Sequence, residues 1–325
     1  MEAYSPRDPA ALAAVLAALV LLLAIGPALA RRLPLAASRA SAWSILVLGV
    51  TGVECLCADE PPGVRMLALI AVALLTMKLI VLVEDRAGGG AALPYAGWLR
   101  FAAGWLGMQP RLFASRRAGP LPGARELLAR GAMWLAVGTA LVLLASLAWR
   151  SSGSKLLATV LLLPGLSLAV HFGLCNLLAG AWRARGVACD ALFRAPLRSQ
   201  SLAEFWGRRW NLAFSEMTAI AVYRPLSPRV GRGPALFASF VVSGLLHEMA
   251  ISLPVRAGFG LPLLYFALHG ALVQVERALE RAGRPLSGPT GRIWTLLWLV
   301  LPLPLLFHRP FLAGAIWPLL GILGD

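Results

Sequence analysis

Residues 201–217, SLAEFWGRRWNLAFSEM, and residues 235–249, ALFASFVVSGLLHEM, decide the fold class of this chain. The first stretch is too charged to cross a bilayer, whereas the second belongs to an apolar run long enough to cross one. His247 therefore falls near the middle of the hydrocarbon layer. Because an ionisable side chain is costly at that depth, His247 is a candidate functional residue by default.

The composition of the whole chain agrees with this assignment. Of its 325 residues, 59% are hydrophobic, and the mean hydropathy of +0.75 far exceeds that of a soluble globular domain. The net charge of +15 comes from short basic clusters between apolar runs. That pattern is typical of cytoplasmic loops rather than of a face that binds nucleic acid. The four cysteines have no paired spacing, so neither a metal site nor a disulfide framework is expected.

Apolar runs of spanning length recur along the chain and predict an all-α integral membrane protein. We expect one domain over residues 1–325, with about eight or nine spans and one interfacial or re-entrant helix. Arginine-rich loops follow the first, third and fifth runs, which places the N-terminus outside and these loops in the cytoplasm. We expect the membrane to be a bacterial inner membrane. The last apolar stretch, residues 311–323, is short for a full crossing and could be re-entrant or tilted.

Several polar or aromatic residues in the N-terminal half favour structural roles. Trp98 and Trp105 lie in a semi-apolar stretch that predicts an interfacial helix, with both rings in the headgroup region. Glu54 and Lys78 sit inside apolar runs, and we interpret them as a buried pair or as snorkelling side chains rather than as catalytic groups. For His171 and Asn176 in the fifth run, core packing is expected.

The segment 204–223 should be a helix that enters and leaves the membrane region on one side. On a helix, Arg208, Asn211, Ser215 and Thr218 would form one polar stripe, because their spacings are three, four and three. Trp206 and Trp210 form a separate aromatic pair. Glu204 stands four residues before Arg208, which is the favourable order for a helical ion pair.

A second polar stripe is expected on the span that follows. Ser239, Ser243 and His247 repeat at i, i+4 and i+8, and Gly244 allows another helix to approach closely. The two stripes would then face each other. A neutral buried imidazole is suited to accept a proton, and the amide of Asn211 can orient a carbonyl or a hydroxyl.

These residues resemble the membrane-bound O-acyltransferases, and within them the wax synthase-like branch. The resemblance rests on FWGRRWN at 205–211, VYRPL at 222–226, SGLLHE at 243–248, and the later His269-Gly270 with Glu276. It covers residues 201–276, whereas the earlier spans match only in being hydrophobic. The resemblance implies a tunnel through a helical bundle, which an acyl thioester enters from the cytoplasm and an acceptor hydroxyl enters from the membrane.

The resemblance also implies roles for particular residues. His247 would be the general base and Asn211 would position the reactants or stabilise the oxyanion, with direct acyl transfer and no covalent intermediate. Trp206, Trp210, Ser215 and Ser243 would contact substrate. Acyl-CoA would be a co-substrate, with no separate cofactor and no metal. The residues that could bind its phosphates are Arg208 and Arg209, and upstream Arg183 and Arg185, for which ordinary positive-inside bias is an equal explanation. His269 and Glu276 are assigned to support of the bundle.

Two other functions stay open at this point. A proton-coupled or lipid transporter could use the midplane histidine together with Glu54 and Lys78, although the two halves of the chain show no repeat. A lipid-binding homologue without activity would carry the same motifs. His247-Glu248 is not a zincin motif, because Ile251 occupies the position of the second histidine. The acceptor alcohol, the acyl length, an acyl carrier protein as donor and a homo-oligomer also stay open.

Overall fold

The computed structural model describes residues 2–322, and in that range its regular structure is entirely helical, as predicted. The α-helices in chain order are α1 (Pro9–Arg32), α2 (Leu35–Leu56), α3 (Pro62–Ala87), α4 (Tyr95–Gly104), α5 (Ala124–Ser152), α6 (Lys155–Ser167), α7 (Cys175–Ala184), α8 (Leu202–Glu204), α9 (Leu212–Thr218), α10 (Arg224–Val230), α11 (Arg232–Val255), α12 (Leu261–Arg281), α13 (Gly288–Val300), α14 (Leu303–Leu306) and α15 (Arg309–Phe311).

Among residues 2–322, seven units are long and apolar enough to cross a membrane: α1, α2, α3, α5, α6 with α7, α11, and α13 with α14. The helix α12 is not among them, because His269, Gln274 and Glu276 lower its hydropathy. It nevertheless has 21 residues and is about 31 Å long, which matches the hydrocarbon thickness. It packs antiparallel to α11, with Gly233 against Gln274 and Gly244 against Leu263. With α12, the described part of the chain has eight units of spanning length, which is within the predicted range.

One end of the bundle is basic, and we call it the basic end. It carries the end of α3, where Arg86 donates to the carbonyl of Ala30 on α1 at 2.6 Å, together with the end of α7 and the start of α11. At the opposite end, the chain after α14 packs back on the bundle. There Trp317 donates its Nε1–H to the hydroxyl of Thr159 at 2.8 Å, and the Tyr4 hydroxyl donates to the carbonyl of Ala315. Residues 311–322 therefore stay at the opposite end and do not form a further span, and the last residue of the predicted tail, Leu323, lies outside the described residues.

The helix α3 is central, because 72% of its most apolar stretch is buried inside the protein. Its Lys78 is fully buried, donates to the carbonyl of Gly107 and lies 4.0 Å from the ring centroid of Phe101. Glu54 instead forms ion pairs with Arg65 and with Arg256 at the opposite end of the bundle. Of the two predicted arrangements, the buried pair of Glu54 with Lys78 is wrong, since the two side chains bind different partners, and Lys78 does not snorkel, since it is fully buried.

The tryptophans of the predicted interfacial segment are part of the core. Trp98 is 0% exposed and Trp105 is 3% exposed, and the Trp98 indole donates to the carbonyl of Leu23 on α1 at 2.8 Å. The two rings therefore do not face lipid headgroups, contrary to the prediction, because α4 packs its aromatic face against α1 and α3. All four cysteines are free thiols, and three of them are buried.

Candidate active site

The segment between α7 and α11 leaves the basic end, descends into the bundle and returns to the same end. Its deepest part brings the ring of Phe214 to 5.3 Å from that of His247, which lies about two thirds of the way along α11. The predicted single helix over 204–223 is wrong. The segment consists of α8, a π-helical turn at Phe205–Arg209, α9, a second π-helical turn at Ala219–Tyr223, and α10. The helix breaks at Trp210, which is extended, and Asn211, which is left-handed with φ 44° and ψ 60°.

The first π-helical turn changes the predicted ion pair. Glu204 accepts from Arg209, five residues on, at 2.7 Å, rather than from Arg208, because a π turn brings residue i+5 onto the face that i+4 occupies in an α-helix. Partial burial raises the pKa of Glu204, but the Gln200 N–H and Arg209 outweigh it and hold this pKa below its usual value. Arg208 is exposed, so the predicted stripe from Arg208 to Thr218 is not continuous.

The extended chain at residues 192–194 stabilises the helix break at Trp210 and Asn211 by backbone hydrogen bonds. The backbone N–H of Leu212 donates to the carbonyl of Leu192 at 3.0 Å, and that of Arg194 donates to the carbonyl of Arg209 at 2.7 Å. The Trp210 ring is packed among aromatic rings, stacked on Phe205 at 5.5 Å. Its further aromatic neighbours are Phe172, Phe193 and His171. These contacts favour the predicted packing role of His171, in this case beneath the motif.

A cavity of about 400 Å³ lies between this segment, α11 and α12. Its wall is mostly aromatic and aliphatic, with a few hydroxyl, amide and imidazole groups, as is usual for small-molecule sites. The residues that line it are Ala203, Trp206, Gly207, Trp210, Asn211, Phe214, Ser215, Thr218, Ala219, Tyr223, Leu236, Ser239, Phe240, Ser243, His247, Phe266, Val273, Arg277 and Leu306.

His247 is held in one tautomer within this cavity. Its Nδ1 lies 2.7 Å from the carbonyl oxygen of Ser243, and because a carbonyl only accepts, Nδ1 must donate its hydrogen. In the neutral ring, Nε2 then keeps a free lone pair. The ring packs between Phe214 and Phe266, with centroid distances of 5.3 Å and 4.2 Å. The predicted face of Ser239, Ser243 and His247 is confirmed, since all three line the cavity.

Asn211 reaches the same cavity through its unusual backbone. A left-handed conformation is uncommon for a residue with a side chain, although asparagine adopts it more readily than most. Its carbonyl accepts the N–H groups of Phe214 and Ser215 at the start of α9. No residue in the described range hydrogen-bonds its side-chain amide, which is therefore available to a ligand.

The other predicted site residues divide into two groups. Trp206, Trp210, Ser215 and Ser243 line the cavity, and the Ser215 hydroxyl also donates to the carbonyl of Trp206, which ties α9 to the π turn. Arg208 and Arg209 lie outside the cavity lining. The upstream pair lies at the basic end, where Arg183 binds Asp190 at 2.6 Å and Arg185 donates to the carbonyl of Ala181.

The carboxylates of Glu248 and Glu276 each accept two backbone N–H groups at the start of a helix. Glu248 accepts the N–H groups of Gly260 and Leu263 at 2.9 and 3.0 Å, so it caps the first turn of α12. Glu276 accepts those of Leu202 and Ala203 at the start of α8. His269 is fully buried and its Nε2 donates to the carbonyl of Trp298 at 2.9 Å. These contacts favour structural roles for Glu276 and His269.

Arg277 and Tyr223 also line the cavity, and the sequence analysis assigns a role to neither of them. Arg277 resembles any other arginine of a basic loop, and only its position opposite the re-entrant segment distinguishes it. Tyr223 belongs to VYRPL, so the motif gave a signal for it but no role.

Residues 189–268 match the model of the Membrane bound O-acyl transferase family. The stretch runs from the chain before the break, through Asn211 and His247, to the middle of α12, so the predicted resemblance to that family is confirmed. Relatives agree with its wax synthase-like branch. Probable long-chain-alcohol O-fatty-acyltransferase 6 of Arabidopsis thaliana is 32% identical over 139 residues, which are 37% of this chain and 40% of that protein.

Two further plant relatives give the same picture. Long-chain-alcohol O-fatty-acyltransferase of Simmondsia chinensis is 33% identical over 99 residues, or 28% of each chain. Acyl-CoA–sterol O-acyltransferase 1 of Arabidopsis thaliana is 33% identical over 128 residues, or 34% of this chain and 37% of the relative. The chain thus spans about two fifths or less of these relatives. The helices and the family match make it an integral membrane protein, and the predicted bacterial inner membrane finds no support in these plant relatives.

Proposed function

We propose that this protein is a membrane-embedded O-acyltransferase that moves a fatty acyl group from acyl-CoA to the hydroxyl of a lipid acceptor. The observation that carries the proposal is the pairing, in one cavity, of an imidazole with a free Nε2 and an amide without a partner among the described residues. Both lie in the stretch that matches the family. The names of the relatives point to long-chain alcohols first and to sterols second as acceptors.

The proposed reaction is a direct transfer. Nε2 of His247 takes the proton of the acceptor hydroxyl while its oxygen attacks the thioester carbonyl carbon. The side-chain N–H of Asn211 donates to the oxygen on which negative charge develops. When the carbon–sulfur bond breaks, the thiolate takes the proton back from the imidazolium. The products are an ester and free coenzyme A, and the base ends in its starting state.

The cavity wall suits this reaction for a physical reason. Rings of Trp206, Trp210, Phe214 and Phe266 surround the two polar groups, which favours an acyl chain and excludes water that would hydrolyse the thioester. Ser243 fixes the tautomer of the base through its carbonyl. Because Trp206, Trp210, Ser215 and Ser243 line this cavity, we propose that they contact substrate.

The transporter alternative lacks a connected relay among residues 2–322. Lys78 donates to the carbonyl of Gly107, and Glu54 binds Arg65 and Arg256 at the opposite end. Neither lines the cavity that holds His247. We therefore favour the enzyme.

Purified protein in lipid nanodiscs tests the proposal. Palmitoyl-CoA would be supplied with hexadecanol, a sterol or a diacylglycerol, and mass spectrometry would measure the ester while a thiol reagent measures released coenzyme A. We expect one ester class that forms in step with free thiol. Thiol release without any ester would indicate a hydrolase, and neither product with any acceptor would refute the acyltransferase.

A further inference from the structure

Among the described residues that line the cavity, Arg277 is the only one with a permanent charge. It lies one turn before the end of α12 and is partly buried. Within residues 2–322, no carboxylate or carbonyl pairs with its guanidinium. Of its acidic neighbours on α12, Glu276 binds the backbone at Leu202 and Ala203, and the exposed Glu280 forms no ion pair with Arg277 within the described range.

An unpaired cation in a largely apolar cavity indicates an anionic ligand. A partly desolvated charge is unfavourable unless another group compensates it. Guanidinium binds phosphate with paired, charge-assisted hydrogen bonds. None of the described residues that line the cavity is an acid, so the compensating group should come with the substrate.

The position of Arg277 relative to His247 gives the length of that substrate. The ring of Phe266 lies 4.2 Å from that of His247, so Phe266 marks the depth of the base on α12. Arg277 follows on the same helix after eleven residues, which is about 16 Å along the axis. The anion would therefore bind about this far from the reacting carbonyl, toward the basic end.

We propose that Arg277 binds the phosphate at the end of the pantetheine arm of the acyl donor. From the thioester sulfur to the first phosphorus this arm has about thirteen bonds, or about 16 Å when extended at the spacing of a peptide-like chain. One molecule can therefore present its thioester to His247 and its phosphate to Arg277. The inference rests on the proposed function and assigns this arginine in addition to Arg208 and Arg209.

Kinetics with truncated donors test the proposal. Acyl-CoA and acyl-phosphopantetheine carry the phosphate, whereas acyl-pantetheine does not. We expect Arg277→Gln to raise KM about ten- to hundredfold for the two phosphorylated donors, the scale of hydrogen bonds to a charged group. Its KM for acyl-pantetheine and its kcat should stay near the wild-type values. Arg277→Lys should recover part of the loss. Arg284→Gln is the matched control, because it removes an exposed positive charge from the loop that follows α12.

The outcomes separate this contact from the overall activity. An unchanged KM for acyl-CoA in Arg277→Gln, or an equal rise for acyl-pantetheine, would overturn the assignment while ester synthesis by the wild type still stands. Equilibrium binding of coenzyme A gives a readout without turnover, and Arg277→Gln should weaken it whereas Arg284→Gln should not. Should the wild type form no ester at all, this binding comparison still decides the role of Arg277. Preference for acyl carrier protein over acyl-CoA, lost in Arg277→Gln, would support the phosphate contact and identify the carrier as its source.

Discussion

Glu276 on α12 accepts the backbone N–H of Leu202 at 2.6 Å, and its second oxygen accepts that of Ala203 at 2.9 Å. The carboxylate thus fastens the start of the re-entrant segment to the helix that also carries Arg277. It further accepts the Trp294 indole N–H at 3.0 Å. Glu276 therefore positions the start of the re-entrant segment although it does not itself line the cavity.

Replacing the Glu276 carboxylate should weaken the attachment of α8 to α12 and so destabilise the re-entrant segment. In Glu276→Gln, the amide nitrogen cannot accept a backbone N–H, so one donor at the start of α8 loses its partner. We expect the free energy of unfolding to fall by about 1.5–3 kcal/mol, together with lower kcat, measured by melting temperature and by ester formation. Glu280→Gln, on an exposed position of α12, is the control and should change neither. An intact melting temperature with full activity in Glu276→Gln would contradict the positioning role.

Loss of the base should separate chemistry from folding. We expect His247→Ala to remain inserted and monodisperse while ester formation falls by roughly a hundredfold or more. Coenzyme A binding should survive, because the phosphate contact lies elsewhere. Ser239→Ala, on the same face of α11 and in the same cavity, is the matched control and should stay near wild type. Full ester synthesis by a folded His247→Ala protein would sink the mechanism.

The backbone at Asn211 allows its two roles to be tested apart. Asn211→Gly keeps the left-handed conformation and removes the amide, whereas Asn211→Ala removes the amide and adds backbone strain. If the amide acts on the reactants, both variants should lose up to roughly a hundredfold in kcat, the scale of one oxyanion donor. Only Asn211→Ala should also melt earlier. Wild-type turnover in Asn211→Gly would reduce the residue to a conformational role, and the double variant with His247→Ala should be little worse than His247→Ala alone.

Lys78 should matter little for turnover. Because it lies outside the cavity and binds the carbonyl of Gly107, we expect Lys78→Met to keep ester formation per folded molecule near the wild-type value. Activity would be normalised to the monodisperse fraction from size-exclusion chromatography. A tenfold loss with unchanged melting temperature would reopen a proton-relay role for this lysine.

The re-entrant segment also predicts a labelling pattern. Single cysteines at Arg116 and Arg229, both exposed, should react with an impermeant thiol reagent from the same side of a sealed vesicle. A cysteine at Ser152, at the opposite end of α5, should react from the other side. The native cysteines would first be replaced, since Cys55 is exposed. Labelling of the first two from opposite sides would remove the re-entrant segment.

Sequence periodicity correctly predicted which residues share a face where the helix is regular. The face of Ser239, Ser243 and His247 follows from the 3.6-residue repeat, and α11 is an uninterrupted helix, so the prediction is confirmed. The same rule failed for 204–223, because two π turns and the left-handed Asn211 shift every later residue around the axis. Such shifts depend on tertiary partners, here Leu192 and Arg194, which periodicity does not contain.

Charge and composition had a similar limit. They predicted the spans and the basic end, but not which charges would be paired. Lys78 and Glu54 looked like a pair because both interrupt apolar runs, although Glu54 lies at the end of α2 and binds two arginines there. Arg277 looked like one more basic residue of a loop. What distinguishes Arg277 is that no carboxylate or carbonyl of residues 2–322 pairs with its guanidinium, and the sequence alone does not show this.

The cap that Glu248 provides for α12 has a mechanical consequence for its neighbour His247. Consecutive residues on a helix point about 100° apart. The His247 side chain therefore enters the cavity, whereas the Glu248 carboxylate accepts the N–H groups of Gly260 and Leu263. Any rotation of α11 that moved the His247 imidazole out of the cavity would also break the hydrogen bonds from Gly260 and Leu263 to Glu248. The contacts of Glu248 therefore fix the position of the His247 imidazole relative to α12, and any ligand must move to that ring.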